Sequence, residues 1–354
     1  PSTALTDVQM HSERQTRAHV VAHRFVDRAA EAEAISKNCK LHHDAGIEWE
    51  DQAILVRMNW MTRAVEMKLA RSHIPYKLVS GTSFFSLREV TMLYGYLRVA
   101  TGRASDDDVS TTLMFPQRGL GKEFVKRVLS ARDLAVTNGN PKPDWYDCVR
   151  DCVVYANGRA REGVAQWLNA VSLLKLDCPR LTPYQALFKL KLNAGIDEWL
   201  KKKGAEDDED NQSFANLEEA LQFALDFSTT EELLDEVDRI IDHRKRSGRD
   251  AVTISTVHKA KGMEWPIVYV PCCEYDLFPS SRGDLNEERR LFYVACTRAQ
   301  DELWMSCARF PEESKESIPS RFLDEIGATC VDESEFKPGR VIHPMKVGTQ
   351  MALI

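Results

Sequence analysis

Two short stretches of the 354-residue chain place charged side chains beside glycine or aromatic residues at spacings that chemistry can use. Thr256-Val257-His258-Lys259-Ala260-Lys261-Gly262-Met263-Glu264-Trp265 is polar, contains a glycine, and lies between two apolar β-branched runs. In α/β folds such a loop sits at the end of the sheet, where ligands bind. From spacing alone, an ordinary connection with a solvated lysine pair is the plainer reading. The second stretch, Glu287-Glu288-Arg289-Arg290-Leu291-Phe292-Tyr293-Val294-Ala295-Cys296-Thr297-Arg298-Ala299, predicts a helix whose last turn presents Arg298. A guanidinium there offers a planar fork of N–H donors to a phosphate and stabilises charge that develops in phosphoryl transfer. By pattern alone it equally fits an arginine that satisfies the helix dipole.

The elements that must position these stretches alternate in type. His19 to Val26 reads as a strand and Arg28 to His43 as a helix; Ala53-Ile54-Leu55-Val56 is a short apolar run, and Thr62 to Ala70 returns to helical spacing. After Arg249 the strand signal resumes in Val252-Thr253-Ile254, Ile267-Val268-Tyr269-Val270 and Glu302 to Cys307. Between about 101 and 249 the texture is helical, with Leu217, Ala220, Leu221 and Ala224 at the i, i+3, i+4, i+7 spacing of one buried face. The expectation is an α/β domain built from residues 1–100 and 250–330, sharing one parallel sheet, interrupted by a helical insertion at 101–249 and followed by a loosely held tail at 331–354. The acidic run Glu206 to Asp210 reads as a solvated loop, because like charges at that density repel.

Composition bounds the rest. With 43% hydrophobic and 29% charged residues, and only 17 Gly and 14 Pro, the chain is a folded protein and not a disordered or low-complexity one. Its length suggests about two domains. The longest apolar run is broken by Pro271, and the polar N-terminal residues do not resemble a signal peptide, so no membrane contact is expected. Nine cysteines at irregular spacing suggest neither a disulfide framework nor a zinc site, so no metal ligands are expected, and reduced thiols point to a cytoplasmic protein, or a nuclear one in a eukaryote. A net charge of -7 leaves any nucleic-acid contact to local clusters.

The two stretches together, in this order and at this separation, resemble helicase motifs V and VI of the superfamily 1A DNA helicases of the UvrD, PcrA and Rep type. Ala53-Ile54-Leu55-Val56-Arg57-Met58-Asn59, Ile74-Pro75-Tyr76, Gly81-Thr82-Ser83-Phe84-Phe85 and Glu89 resemble the stretch that opens that family's second motor lobe. Pro319-Ser320-Arg321-Phe322-Leu323 resembles the lobe's ending. The resemblance implies a RecA-like lobe, 2A, of the P-loop NTPase type, with the insertion as the mobile subdomain 2B. It implies that Arg298 reaches the γ-phosphate of ATP and that Glu264, with Gly262 beside it, holds the nucleotide ribose. Thr256, His258, Arg57 and Asn59 match positions on the backbone of single-stranded DNA, which needs donors to phosphate and sugar without sequence reading. Gln117-Arg118-Gly119-Leu120-Gly121-Lys122 resembles a duplex-contact motif, so Arg118, Gly119, Gly121 and Lys122 become candidate contacts, the glycines letting backbone N–H groups approach a phosphate. From Arg118 to Arg132 five basic residues face one acidic residue, Glu123, although pattern alone favours a solvated basic helix face.

Other family motifs are missing from this sequence. The only Gly-Lys pair, Gly121-Lys122, is followed by Glu123 and lacks the spacing of G-x-x-x-x-G-K-[ST]. The Asp-Glu-x-Gln-Asp motif that would hold Mg²⁺ is absent too. The expectation is therefore a chain that begins after the first lobe and supplies half of an ATP site, inactive alone. Its partners would be single-stranded DNA, a single-strand/duplex junction and the N-terminal lobe carrying Mg²⁺. The alternative is a non-motor module that binds DNA junctions or a partner protein through the insertion. A relative of the nuclease-linked RecB and AddA proteins fits less well, since no nuclease-like acidic domain follows Phe322.

Overall fold

The computed structural model describes residues 19–79, 82–139, 143–203, 209–246, 248, 250–311 and 316–332. They fall into two compact units, one drawn from residues 1–81 and 246–354 and the other from 82–245.

The first unit is a seven-stranded sheet of order β3-β4-β2-β5-β6-β1-β7, with strands β1 (His19–Asp27), β2 (Gln52–Val56), β3 (Tyr76–Leu78), β4 (Val252–Thr256), β5 (Trp265–Val270), β6 (Ala299–Phe310) and β7 (Cys330–Asp332). Every named pairing is parallel. The sheet draws on both chain segments, as expected: β1 from the first lies along β6 from the second, in register from His19 opposite Glu302 to Asp27 opposite Phe310. Strands β2 and β4 are buried throughout, which is why they read as continuous apolar runs and not as alternating ones. Helices α1 (Arg28–Asp44) and α2 (Thr62–Arg71) follow β1 and β2. Two short strands were illegible in the sequence. One of them, β7, pairs Cys330 with Ala22 and Asp332 with Arg24, so the boundary expected at 331 cuts through a strand of the sheet.

The second unit is helical among its described residues: α3 (Arg88–Ala100), α4 (Asp106–Met114), α5 (Lys122–Thr137), α6 (Trp145–Asp151), α7 (Arg159–Asp177), α8 (Pro183–Asn193), α9 (Ile196–Lys203), α10 (Glu209–Ala224) and α11 (Thr230–Arg246). It begins before the expected residue 101. The reason is α3, in which Val90, Met92, Leu93, Tyr94, Tyr96 and Leu97 are all buried. A helix apolar nearly all round needs helices around it, and α3 finds them in α4, α7, α8 and α10. Tyr94 donates to the carbonyl of Ala220 at 3.0 Å and Tyr96 to that of Thr112 at 3.0 Å. The predicted face of α10 is fully buried at Leu217, Ala220, Leu221 and Ala224. Glu209 and Asp210 start that helix and do not extend a loop; Glu206 to Asp208 lie outside the described residues.

The last helices, α12 (Leu285–Cys296) and α13 (Arg321–Glu325), return to the first unit. Asp284 caps α12, accepting from the N–H groups of Asn286 and Glu287 at 3.0 and 3.1 Å. Phe292 and Ala295 of α12 pack on one sheet face with Leu55, Val268, Leu303 and Phe322.

A buried ionic cluster ties α1 to the ends of β5 and β6. Arg28 donates to Glu31 at 3.1 Å and to Glu274 at 3.0 Å, and Ala308 N–H donates to Glu274 at 2.5 Å. Burial, then the charge of Glu31, push the Glu274 carboxyl up to about 7 in spite of Arg28. The folded state thus keeps a proton that the unfolded chain releases near 4.5. This group's contribution is fullest below 4.5 and is lost as pH rises to about 7. Urea midpoints across that interval are expected to fall with rising pH, and Glu274→Gln to flatten the fall; an unchanged slope in the variant would refute the assignment.

Candidate functional site

The stretch 256–265 runs from one edge of the sheet to the other. Val56 and Thr256 are paired at the C-terminal ends of β2 and β4, whereas Trp265 opens β5 beside Ala299, which opens β6. The connection therefore travels back along the sheet by about six residue steps, roughly 20 Å. Val257 and Ala260 are fully buried in the core and anchor it. Between and beyond them His258, Lys259, Lys261, Gly262, Met263 and Glu264 are exposed. Gly262 has φ +86°, a left-handed conformation that a side chain would strain.

At the N-terminal edge the structure brings Arg298, Gly262 and Glu264 together. The Arg298 Nε donates to the carbonyl of Val294 at 3.0 Å, Nη1 to that of Met263 at 2.9 Å, and Nη2 to Thr297 Oγ1 at 2.9 Å. Its backbone carbonyl accepts from Trp265 N–H at 2.9 Å. Three of the five guanidinium N–H groups are thereby used to fix the fork, and one on each terminal nitrogen is left over. Glu264 accepts from Gln300 Nε2 at 3.4 Å. An exposed carboxylate and an oriented arginine side by side can accept from sugar hydroxyls and donate to phosphate.

At the C-terminal edge stand Arg57, Asn59, Thr256 and His258. Asn59 and His258 are exposed, and Thr256 is buried at 8% exposure at the end of β4. Arg57 is not a free donor. Its Nε and Nη2 form a side-on pair with Glu288 of α12, at 2.9 and 2.6 Å for the shorter contacts. Burial works against the Glu288 charge, but the bonds from Arg57 and Ser280 N–H, with the charges of Arg57 and His258, hold its carboxyl below the usual range. Sequence reading did not find this pair. Its partners are 231 positions apart, and Glu288 stands in a run of charged residues with nothing local to mark it.

In the helical unit the six-residue motif divides. Gly119 has φ +76°, and a Cβ there would meet the Arg159 side chain at 3.1 Å. Gly121 is the N-cap of α5, and Lys122 is exposed at its first position. Arg118 departs from the expected role of DNA contact. It is 5% exposed, and its guanidinium donates to the carbonyls of Ala194 at 2.7 Å, Pro116 at 3.3 Å and Thr112 at 3.4 Å. The sequence count of basic residues also overstates the field, because Lys126 pairs with Glu123 and Arg132 with Asp106. A cleft of ≈ 740 Å³ beside the motif is lined by Arg88, Gln117 and Arg159 among others.

Among the described residues no group of three or more histidine, cysteine or carboxylate residues could hold a metal ion, and no helix is long and apolar enough to cross a membrane. Gly81 of the quoted resemblance lies outside the described residues.

The chain is similar in sequence to known proteins. An ATP-dependent DNA helicase PcrA of Staphylococcus epidermidis is 27% identical over 339 residues, covering 89% of this chain and 45% of the relative. One from Staphylococcus aureus is 27% identical over 343 residues, covering 89% and 44%. The chain thus spans a little under half the length of these relatives. The model of the UvrD-like helicase C-terminal domain matches residues 3–309. With that match covering most of its length, and with a seven-stranded parallel sheet and a helical insertion behind it, the chain belongs to the UvrD-like helicase C-terminal domain family.

Proposed function

We propose that the chain is the second motor lobe, with its inserted subdomain, of an ATP-dependent DNA helicase that translocates 3′ to 5′ on single-stranded DNA in repair, replication or recombination. The observation that carries this is the convergence of Arg298, Gly262 and Glu264 at one edge of the sheet, joined by the ten residues from Thr256 to Trp265 to a second set at the other edge. In this reading Arg298 donates to the γ-phosphate and Glu264 accepts from the ribose, while a lobe outside this chain supplies the phosphate-binding loop and holds Mg²⁺. Bound ATP supplies the energy of lobe closure; this chain's part is to close on it and to move the strand-contact edge. Asn59, His258 and Thr256 serve the sugar-phosphate backbone, with Arg57 contributing what its pairing leaves over. Backbone contacts of this kind track any sequence, which suits a translocase.

The helical unit would meet the duplex at Gly119, Gly121 and Lys122, where α5 begins, with the neighbouring cleft as a second polar surface. A helix start with unpaired N–H groups favours a phosphate. Arg118 shapes that region from inside.

The test is ATP hydrolysis with and without single-stranded DNA, by the 354-residue chain and by the complete protein that contains it. No turnover by the chain and DNA-stimulated turnover by the complete protein are expected. Stimulated turnover by the chain alone, or none by the complete protein, would overturn the reading. A non-motor binding module would have no use for an arginine fixed by three bonds beside an exposed glutamate.

A further inference from the structure

The pairing of Arg57 with Glu288 joins the two edges of the sheet through α12. That helix starts near the C-terminal edge, where Glu288 sits in its first turns, and ends at the N-terminal edge, where Arg298 stands two residues after its last, Cys296. The ten residue steps from Glu288 to Arg298 span about 15 Å of helix. Its inner face is held by Phe292 and Ala295 in the core.

Three observations make the Glu288 end a built site. Its carboxylate is 3% exposed and accepts from Arg57 Nε and Nη2 and from Ser280 N–H at 3.0 Å. Arg57 could leave only by uncovering a buried charge, which proteins resist strongly. The backbone beside it also makes room: a Cβ at Gly283 would stand 2.5 Å from Glu288 Oε1 and 3.0 Å from its Cδ. The side-on pair directs Arg57's third nitrogen, Nη1, away from Glu288, and no described residue accepts from it.

We infer that Glu288 is a positioning residue that fastens Arg57 to α12, so that the strand-contact edge and the γ-phosphate arginine move as one rigid piece. The inference rests on the motor reading given above and deepens it. A phosphate on Nη1 would pull on α12 through a pair that cannot lengthen without exposing charge, and a shift of Arg298 during closure would pass the other way. Without the pair, Arg57 becomes a flexible cation that still attracts DNA but transmits nothing.

The readout is the ratio of DNA-stimulated to DNA-free ATP turnover in the complete protein, together with single-stranded DNA affinity and thermal midpoint. Glu288→Gln keeps the shape and removes the charge that holds Arg57; the ratio is expected to fall roughly 10-fold, in the usual range of coupling effects, with affinity largely kept. Gly283→Ala keeps every charge and displaces only the end of the Glu288 side chain, so it should lower the ratio in the same direction and carries the test alone if Glu288→Gln does not fold. In an Arg57→Gln background, Glu288→Gln should add nothing. Parental ratios in the folded variants, or a further fall in that background, would overturn the inference. A parent protein whose turnover DNA does not stimulate would overturn the motor reading itself and this inference with it.

Discussion

On the proposed motor reading, Arg298→Ala in the complete protein is expected to abolish DNA-stimulated ATP turnover while leaving single-stranded DNA binding nearly intact. An arginine that stabilises the charge of a transferring phosphoryl group is worth roughly 10³ to 10⁵ in kcat. The separation of effects follows from place. Arg298 lies at the N-terminal edge of the sheet, and the residues assigned to the strand lie at the other. Arg298→Lys should rescue little, because a lysine keeps the charge but not the fork that is fixed on Val294, Met263 and Thr297. Turnover that survives in the alanine variant, measured at saturating ATP and DNA, would remove Arg298 from the phosphate site. DNA affinity lost in parallel with turnover would instead mean that the variant had loosened the whole 256–265 connection.

Arg118→Ala should behave in the opposite way, with stability lost and DNA binding altered only as the helical unit loosens. The side chain lies under the surface, where it satisfies the carbonyls of Ala194 and Pro116 and lies over the ring of Tyr96 at 5.9 Å. Removing it takes the donor from carbonyls that line the neighbouring cleft, where water replaces part of it, so a loss of about 1–3 kcal/mol is expected. Urea denaturation measures it directly. If Arg118 were instead a phosphate contact, the variant would keep its stability and the slope of log affinity against log salt would fall by about one. These two signatures do not overlap.

The contrast between the two arginines shows where residue type and spacing stop being informative. The place of Arg298 was legible because it follows a predicted helix and a glycine-bearing loop, both local patterns, whereas its role came only from the family resemblance. Arg118 has equally basic chemistry in an equally suggestive motif, yet it is buried because α7 comes close enough for Gly163 to abut its backbone, a Cβ there standing 2.2 Å from the Arg118 carbonyl oxygen. Nothing within a few residues of Arg118 announces that approach. The same holds for the fold. Strands β2, β4 and β5 carry β-branched residues in runs that burial on both faces imposes, and β6 a buried run from Leu303 to Ala308. By contrast β3 and β7 are three residues each and exist because β4 and β1 offer them an edge. Helix α3 looked like part of the sheet domain because it follows it in the chain; only its burial on all sides assigns it to the helical unit.

The long parallel pairing of β1 with β6 has a consequence for how the molecule is made. Within this sequence a ribosome delivers β1 and β2 before every helix from α3 to α11, and only afterwards the strands β4, β5 and β6 that lie between and beside them. At roughly 5–20 residues per second β1 and β2 wait for about 10–60 s. During that interval the helical unit emerges and becomes free to fold once α11 has cleared the ribosome, while β1 and β2 stay without the neighbours that cover their edges. Unpaired apolar strands are what chaperones hold and what aggregates recruit. Nascent chains stalled just after Arg246 should therefore bind a holdase through β1 and β2, and should release it once β6 has cleared the exit tunnel.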